Sequence, residues 1–128
     1  MNVAAVLAVG VGAAVGAWLR WVLGILLNAA SPMLPLGTLA ANVIGGYLVG
    51  VAVEYFAQNA DVSAEARLLV ITGFLGGLTT FSTFSAEVVT LLMRAHYAWA
   101  VALIGCHLAG SIAATILGIF TVRALAQA

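Results

Sequence analysis

Gly73-Phe74-Leu75-Gly76-Gly77-Leu78-Thr79-Thr80-Phe81-Ser82-Thr83-Phe84-Ser85 lies in the middle of an uncharged run long enough to cross a bilayer. The centre of a membrane helix is ordinarily its most apolar part. Here that place is taken by paired glycines, a cluster of hydroxyls and two phenylalanines one turn apart, a composition that loosens the backbone and puts weak hydrogen-bond donors at membrane depth. In lipid, irregular backbone is tolerated only where it is buried in protein or faces a polar cavity. The stretch therefore predicts a broken helix that forms the working part of a small channel or transporter.

The rest of the chain agrees with a membrane setting. Of 128 residues, 65% are hydrophobic, and only four acids and four arginines, with no lysine, are present to make a polar surface. A soluble domain of this length needs more. The net charge is zero, so there is neither a basic footprint for nucleic acid nor an acidic tail for a soluble partner. Cys106 is the lone cysteine, which excludes an internal disulfide and a cysteine zinc cluster and reads as a small buried hydrophobe. Met1-Asn2 carries no basic leader, and the first apolar segment outruns a signal peptide, so it reads as a retained span.

Four hydrophobic segments are predicted as helices, Val3 to Leu27, Leu36 to Phe56, Arg67 to Met93 and Trp99 to Val122, each near or above the ~20 residues that span a bilayer. The expected fold is all-α, an integral membrane protein whose residues 1–128 make one four-helix transmembrane domain. Both prolines, Pro32 and Pro35, fall in the first connection, the second is the one markedly polar stretch, and Ser63 is a start signal for the third helix. Tyr47, Tyr55, Tyr97, Trp18, Trp21 and Trp99 read as headgroup anchors. Flanking arginines are nearly balanced, with Arg67 and Arg123 on one side and Arg94 and Arg20 toward the other, so neither orientation is favoured. Four helices cannot enclose much of a pore by themselves. An antiparallel, dual-topology homodimer, with a permeation path formed between protomers, satisfies both observations.

At 3.6 residues per turn every helix carries a polar or small stripe: Gly12, Gly16 and Arg20 in the first, Thr38, Asn42, Gly45, Gly46 and Val49 in the second, and His107, Ser111, Thr115 and Gly118 in the fourth. In the third, Phe81, Phe84 and Ser85 share one side, and Thr79, Thr83 and Glu87 the other. Such stripes commonly glue membrane helices together, but this chain has more of them than glue requires. A departure from helix near Gly76 to Thr80 would free backbone carbonyls, which are ligands for a hard cation, and two facing breaks could enclose one. The amide of Asn42, the hydroxyls of Ser82, Thr83 and Ser85 and the rims of Phe81 and Phe84 all present partial positive charge, which suits passage of a small hard anion that no fixed cation traps. Arg20 supplies positive potential, while Glu87 either answers it or carries a proton. His107 on an apolar face more often has a structural, hydrogen-bonded role.

Three matches give a family resemblance: Gly16-Ala17-Trp18-Leu19-Arg20, Gly37-Thr38-Leu39-Ala40-Ala41-Asn42-Val43-Ile44-Gly45, and the Gly73 to Ser85 stretch with Glu87. Over nearly its whole length the chain resembles the Fluc (CrcB) fluoride channels. The resemblance implies an antiparallel homodimer in the cell inner (plasma) membrane, with two separate fluoride pores and a central structural sodium ion. It places the backbone carbonyls of Gly76 and Thr79 on the sodium, and Phe81, Phe84, Asn42, Ser82, Thr83, Arg20 and Glu87 along the fluoride path. No motif aligns in the fourth helix, so no path role is assigned to His107, Ser111 or Thr115.

The implied activity is passive and not enzymatic. Hydrogen fluoride crosses lipid as the neutral acid and ionises in a less acidic cytoplasm; an anion pore then lets the inside-negative potential drive fluoride out. No nucleotide is needed, and no phosphate-binding glycine loop follows a strand. One alternative is a proton-coupled antiporter for fluoride or another small molecule, of the small dual-topology type, with Glu87 carrying the proton because the first helix has no acid. A non-transporting assembly subunit is the other, and the hydroxyl enrichment at the break argues against it.

Overall fold

A computed structural model describes residues 1–128. The chain runs as α1 (Val3–Leu27), a single 3-10 turn (Asn28–Ala30), α2 (Leu36–Gln58), α3 (Ala64–Arg67), a π-helical stretch (Leu68–Leu75), α4 (Gly76–Leu78), α5 (Phe81–Met93) and α6 (Tyr97–Gln127). Four helical spans, Val3–Ala30, Leu36–Gln58, Ala64–Met93 and Tyr97–Gln127, are long and apolar enough to cross a membrane. The third extends three residues upstream of the expected Arg67 start because Ser63 caps it, its Oγ accepting the Ala66 N–H at 3.2 Å. The fourth runs past both expected ends, since Tyr97 and the polar tail around Arg123 continue the helix.

The other termini follow from local chemistry. Asn2 accepts from the Ala5 N–H at 2.7 Å to start α1. Asn28, just beyond the end of α1, turns its Oδ1 onto the N–H groups of Gly37 and Thr38 at 2.7 and 3.2 Å, so one side chain ties the end of one span to the start of the next. Arg67 folds back over the second connection, donating to the carbonyls of Val62 and Asn59 and lying 5.3 Å above the Phe56 ring.

Glycines decide which helices touch. A Cβ at Gly16 would overlap the Phe74 carbonyl and one at Gly12 that of Leu69, so α1 lies directly on the backbone of the π-helical stretch. Likewise a Cβ at Gly50 would meet the Thr115 carbonyl and one at Gly118 that of Tyr47, which lets α2 and α6 approach along their whole shared length. Polar groups then bridge the seam: Thr115 Oγ1 donates to the Gly46 carbonyl at 2.9 Å, and Tyr47 hydroxyl to Thr121 Oγ1 at 3.1 Å. Tyr47 is thus a mid-helix link to α6 and not a headgroup anchor. Two apolar clusters fill the interior, one around Ala41, Leu75 and Leu78 and one around Phe84, Val88, Leu91 and Leu103.

Cys106 corrects the reading of a buried small hydrophobe. It is exposed on α6, because the inward face of that helix is set by His107 and Leu103. A neighbour of an inward residue points about a quarter-turn away.

Between α5 and α6 the chain reverses through Ala95, at φ 59°. His96 N–H bonds the Leu91 carbonyl at 2.9 Å and Ala95 N–H that of Leu92 at 3.0 Å, the paired bonds that close a helix with a left-handed residue. Alanine in that conformation costs roughly 1 kcal/mol that glycine avoids. Ala95→Gly is therefore expected to raise unfolding free energy in detergent by about 0.5–1 kcal/mol, read as a higher midpoint in thermal or denaturant unfolding.

Candidate functional site

Thr79 and Thr80 leave the helix. Their ψ angles of 154° and 117° are extended, separating α4 from α5. The departure from helix expected near Gly76 to Thr80 falls at the far end of that range: Gly76–Leu78 keeps one α turn after the π-helical stretch, and the gap comes at the two threonines. Thr79 remains tied backward, its N–H and Oγ1 both on the Leu75 carbonyl at 3.0 and 2.9 Å. Thr80 ties forward. Its Oγ1 accepts the Thr83 N–H at 3.1 Å and caps α5.

Asn42, projecting from α2, closes the gap. Its Oδ1 accepts the Thr80 N–H at 2.7 Å, and its Nδ2 donates to the Thr80 carbonyl at 2.9 Å. A side-chain amide thus pairs with both backbone groups of one residue, as a neighbouring strand would. Because the Thr80 N–H goes to Asn42 and the Thr83 N–H to Thr80 Oγ1, the carbonyls of Gly76 and Thr79 lose their partners four residues on. The Gly77 carbonyl, orphaned in the same way, accepts Arg20 Nε at 3.1 Å. Arg20 therefore grips the break from the α1 side.

A cavity of about 300 Å³ opens beside the gap, lined by Asn42, Thr79, Thr80, Phe81, Phe84 and His107 and continued along α6 by Ser111 and Thr115. Phe81 and Phe84 meet edge to face, with centroids 5.5 Å apart. Phe84 is buried, whereas Phe81 is 73% exposed on this single chain. His107 stacks on Phe84 at 4.4 Å and 28°, and its Nδ1 lies 3.0 Å from Asn42 Nδ2.

A second cavity, about 230 Å³, lies nearer the α5–α6 turn and contains Thr83, Glu87, Thr90, Arg94 and His96. Glu87 Oε1 accepts from Thr38 Oγ1 at 2.6 Å, and Glu87 Oε2 is buried with no partner. The residues singled out from sequence thus fall into groups. Asn42, Thr79, Phe81 and Phe84 line the first cavity, Thr83 and Glu87 the second, and Arg20 sits at the break outside both. Ser82 is exposed, with its hydroxyl 3.3 Å from Thr80 Oγ1, and Gly76 is exposed as well.

His107, Ser111 and Thr115, to which the family resemblance assigns no path role, all line the first cavity. The signal was their spacing of four, which puts them on one face of α6 and against the Asn42 stripe of α2.

The family model for CrcB-like protein, Camphor Resistance (CrcB), matches residues 7–119. The chain belongs to the CrcB family. It is 63% identical over 127 residues to a protein of Nitrosospira multiformis, with 99% of each chain covered. It is also 63% identical to one of Ralstonia pickettii, covering 91% of this chain and 93% of the relative, and 57% identical to one of Cupriavidus metallidurans, covering 93% and 94%. Each of these relatives is named a fluoride-specific ion channel, FluC. With four apolar helices long enough to span and such relatives, this family member is a multi-pass membrane protein.

Removing the amide tests the closure of the break. Asn42→Leu leaves the Thr80 N–H and carbonyl unpaired at membrane depth, a loss expected to cost about 2–4 kcal/mol. Thr38→Val, which removes one donor to Glu87, is expected to cost about 1–3 kcal/mol, and unfolding in detergent should rank the two variants in that order.

Proposed function

We propose that this chain is a fluoride-selective, passive channel that exports cytoplasmic fluoride across the cell inner membrane, its residues 1–128 forming one transmembrane unit of an antiparallel homodimer with two pores. The supporting observation is the cavity beside Thr79 and Thr80. Its polar wall is an amide, hydroxyls and an imidazole beside two phenyl rings, and no arginine lines it. Such donors are each weak, so a small anion that must shed water can be handed along them without being held. Relatives at 57–63% identity carry the name of fluoride-specific channels, which fits.

The pairing of two copies is supported by what one copy leaves uncovered. Phe81, Ser82, Ser85 and Gly76, which flank the break, are all exposed, and lipid cannot satisfy hydroxyls or freed carbonyls. A second copy, related by a two-fold axis in the membrane plane, covers that face with its own break. The freed carbonyls of Gly76 and Thr79 fit a sodium ion at that axis: they are neutral hard oxygens, a donor set suited to a monovalent cation. Bound there, sodium would fix the two breaks against each other. Asn42, Phe81, Phe84, Ser82 and Thr83 act along the fluoride path, with Arg20 and Glu87 setting its potential on either side.

Liposomes loaded with potassium fluoride test this reading. On adding a potassium ionophore to clamp the voltage, fluoride is expected to leave passively while chloride is retained. Release that requires an opposing proton gradient would instead assign a proton-coupled antiporter with Glu87 as carrier. Phe81→Ile and Phe84→Ile are each expected to slow efflux about tenfold or more without dissociating the dimer, since each removes a ring edge from the path. Wild-type flux in both variants would remove the ring-edge role.

A further inference from the structure

Asn42 has two amide hydrogens, and both are in use. Its orientation is fixed by Thr80: Oδ1 faces an N–H and Nδ2 a carbonyl, so turning the amide over would set like against like at both contacts. The atom 3.0 Å from His107 Nδ1 is therefore a nitrogen that can only donate. Nδ1 must accept, and the neutral ring carries its proton on Nε2. That nitrogen is buried without a protein partner. An orphaned N–H in the interior is unfavourable, so a ring needed only for packing would be better made of phenylalanine.

We propose that His107 is the positioning residue of the cavity: through Nδ1 it holds the second hydrogen of the Asn42 amide, and with its face it holds the Phe84 ring, so that amide, break and ring keep one arrangement. This rests on the fluoride-channel reading for its transport arm only. Two contacts from one imidazole converge here. The ring is 97% buried (3% exposed) between α2 and α5, and stacking covers a face of Phe84, leaving its rim as the part a solute can approach. A rotated or displaced His107 would free an amide hydrogen of Asn42 and weaken its hold on Thr80 together.

Nitrogen NMR of isotope-labelled histidine in the intact protein in lipid bilayers tests the tautomer. His96→Gln leaves His107 as the one remaining imidazole. The proton is expected on Nε2, with Nδ1 unprotonated and hydrogen-bonded. Asn42→Asp, whose carboxylate has no N–H to give, is expected to draw the proton to Nδ1. A proton on Nδ1 in the parent, or a tautomer unmoved by Asn42→Asp, overturns the proposal, and neither result depends on fluoride passing through. In liposomes, His107→Gln keeps an acceptor for the amide and is expected to hold fluoride efflux within about threefold of the parent, while His107→Leu loses about tenfold or more. Equal efflux from the two variants, both folded by size exclusion, also overturns it; a parent that passes no fluoride overturns the channel reading instead.

Discussion

The pairing of the Asn42 amide with both backbone groups of Thr80 is the constraint on which the rest of the site depends. Helix interruptions in a membrane are limited by the cost of unpaired N–H and carbonyl groups. One amide on α2 replaces what helix would have supplied to Thr80, and Thr80's own hydroxyl restarts the helix at α5. The interruption is thus short and stiff. Its carbonyls at Gly76 and Thr79 are released from the helix ladder, while Phe81 and Phe84 are carried on a capped helix.

Close helix packing is what brings Asn42 within reach. Asn42 stands on the same face of α2 as Gly45 and Gly46, and a Cβ at Gly45 would collide with the Thr79 methyl group. A bulkier residue there would push α2 away from the break, and the amide could not span the added distance. Gly12 and Gly16 do the same for α1, which then delivers Arg20 to the Gly77 carbonyl. One nitrogen of the guanidinium is thereby held on a backbone oxygen, and Arg20 stays out of the cavity lining, leaving that wall free of a fixed cation.

Much of this was legible in the sequence because lipid physics is severe. Glycines and hydroxyls at the centre of an apolar run have few uses other than a protected break, and the spacing of Phe81 and Phe84 places them one turn past it. The stripes on α1 and α2 were visible for the same reason, and each brings one polar residue to the break, Arg20 from α1 and Asn42 from α2. What sequence could not show is partner choice. His107 reads as an ordinary core histidine until Asn42, 65 positions earlier, is seen to present a nitrogen to it. The π-helical stretch has no residue signature of its own here, being a mostly apolar run like any helix, and the gap at Thr79 and Thr80 lies at the far end of the range expected to leave the helix. Tyr47 and Cys106 were misplaced because a headgroup or core preference gives way to whichever face the glycine seams turn inward.

The two buried polar atoms without partners, Glu87 Oε2 and His107 Nε2, belong to residues held by neighbouring turns of α2, Thr38 and Asn42. Each residue is half satisfied: one oxygen or nitrogen is anchored by α2, and the other is left over. Full pairing would have made a rigid polar seam between α2, α5 and α6, stable and inert. Half pairing anchors both side chains on α2 while leaving Glu87 Oε2 and His107 Nε2 uncommitted. In an interior of low dielectric such groups are costly, and here both belong to residues that line the two cavities. The α2 helix is therefore the organising element. It closes the break, aims the histidine and orients the carboxylate from three successive levels, at Thr38, Asn42 and the Gly46 carbonyl that receives Thr115.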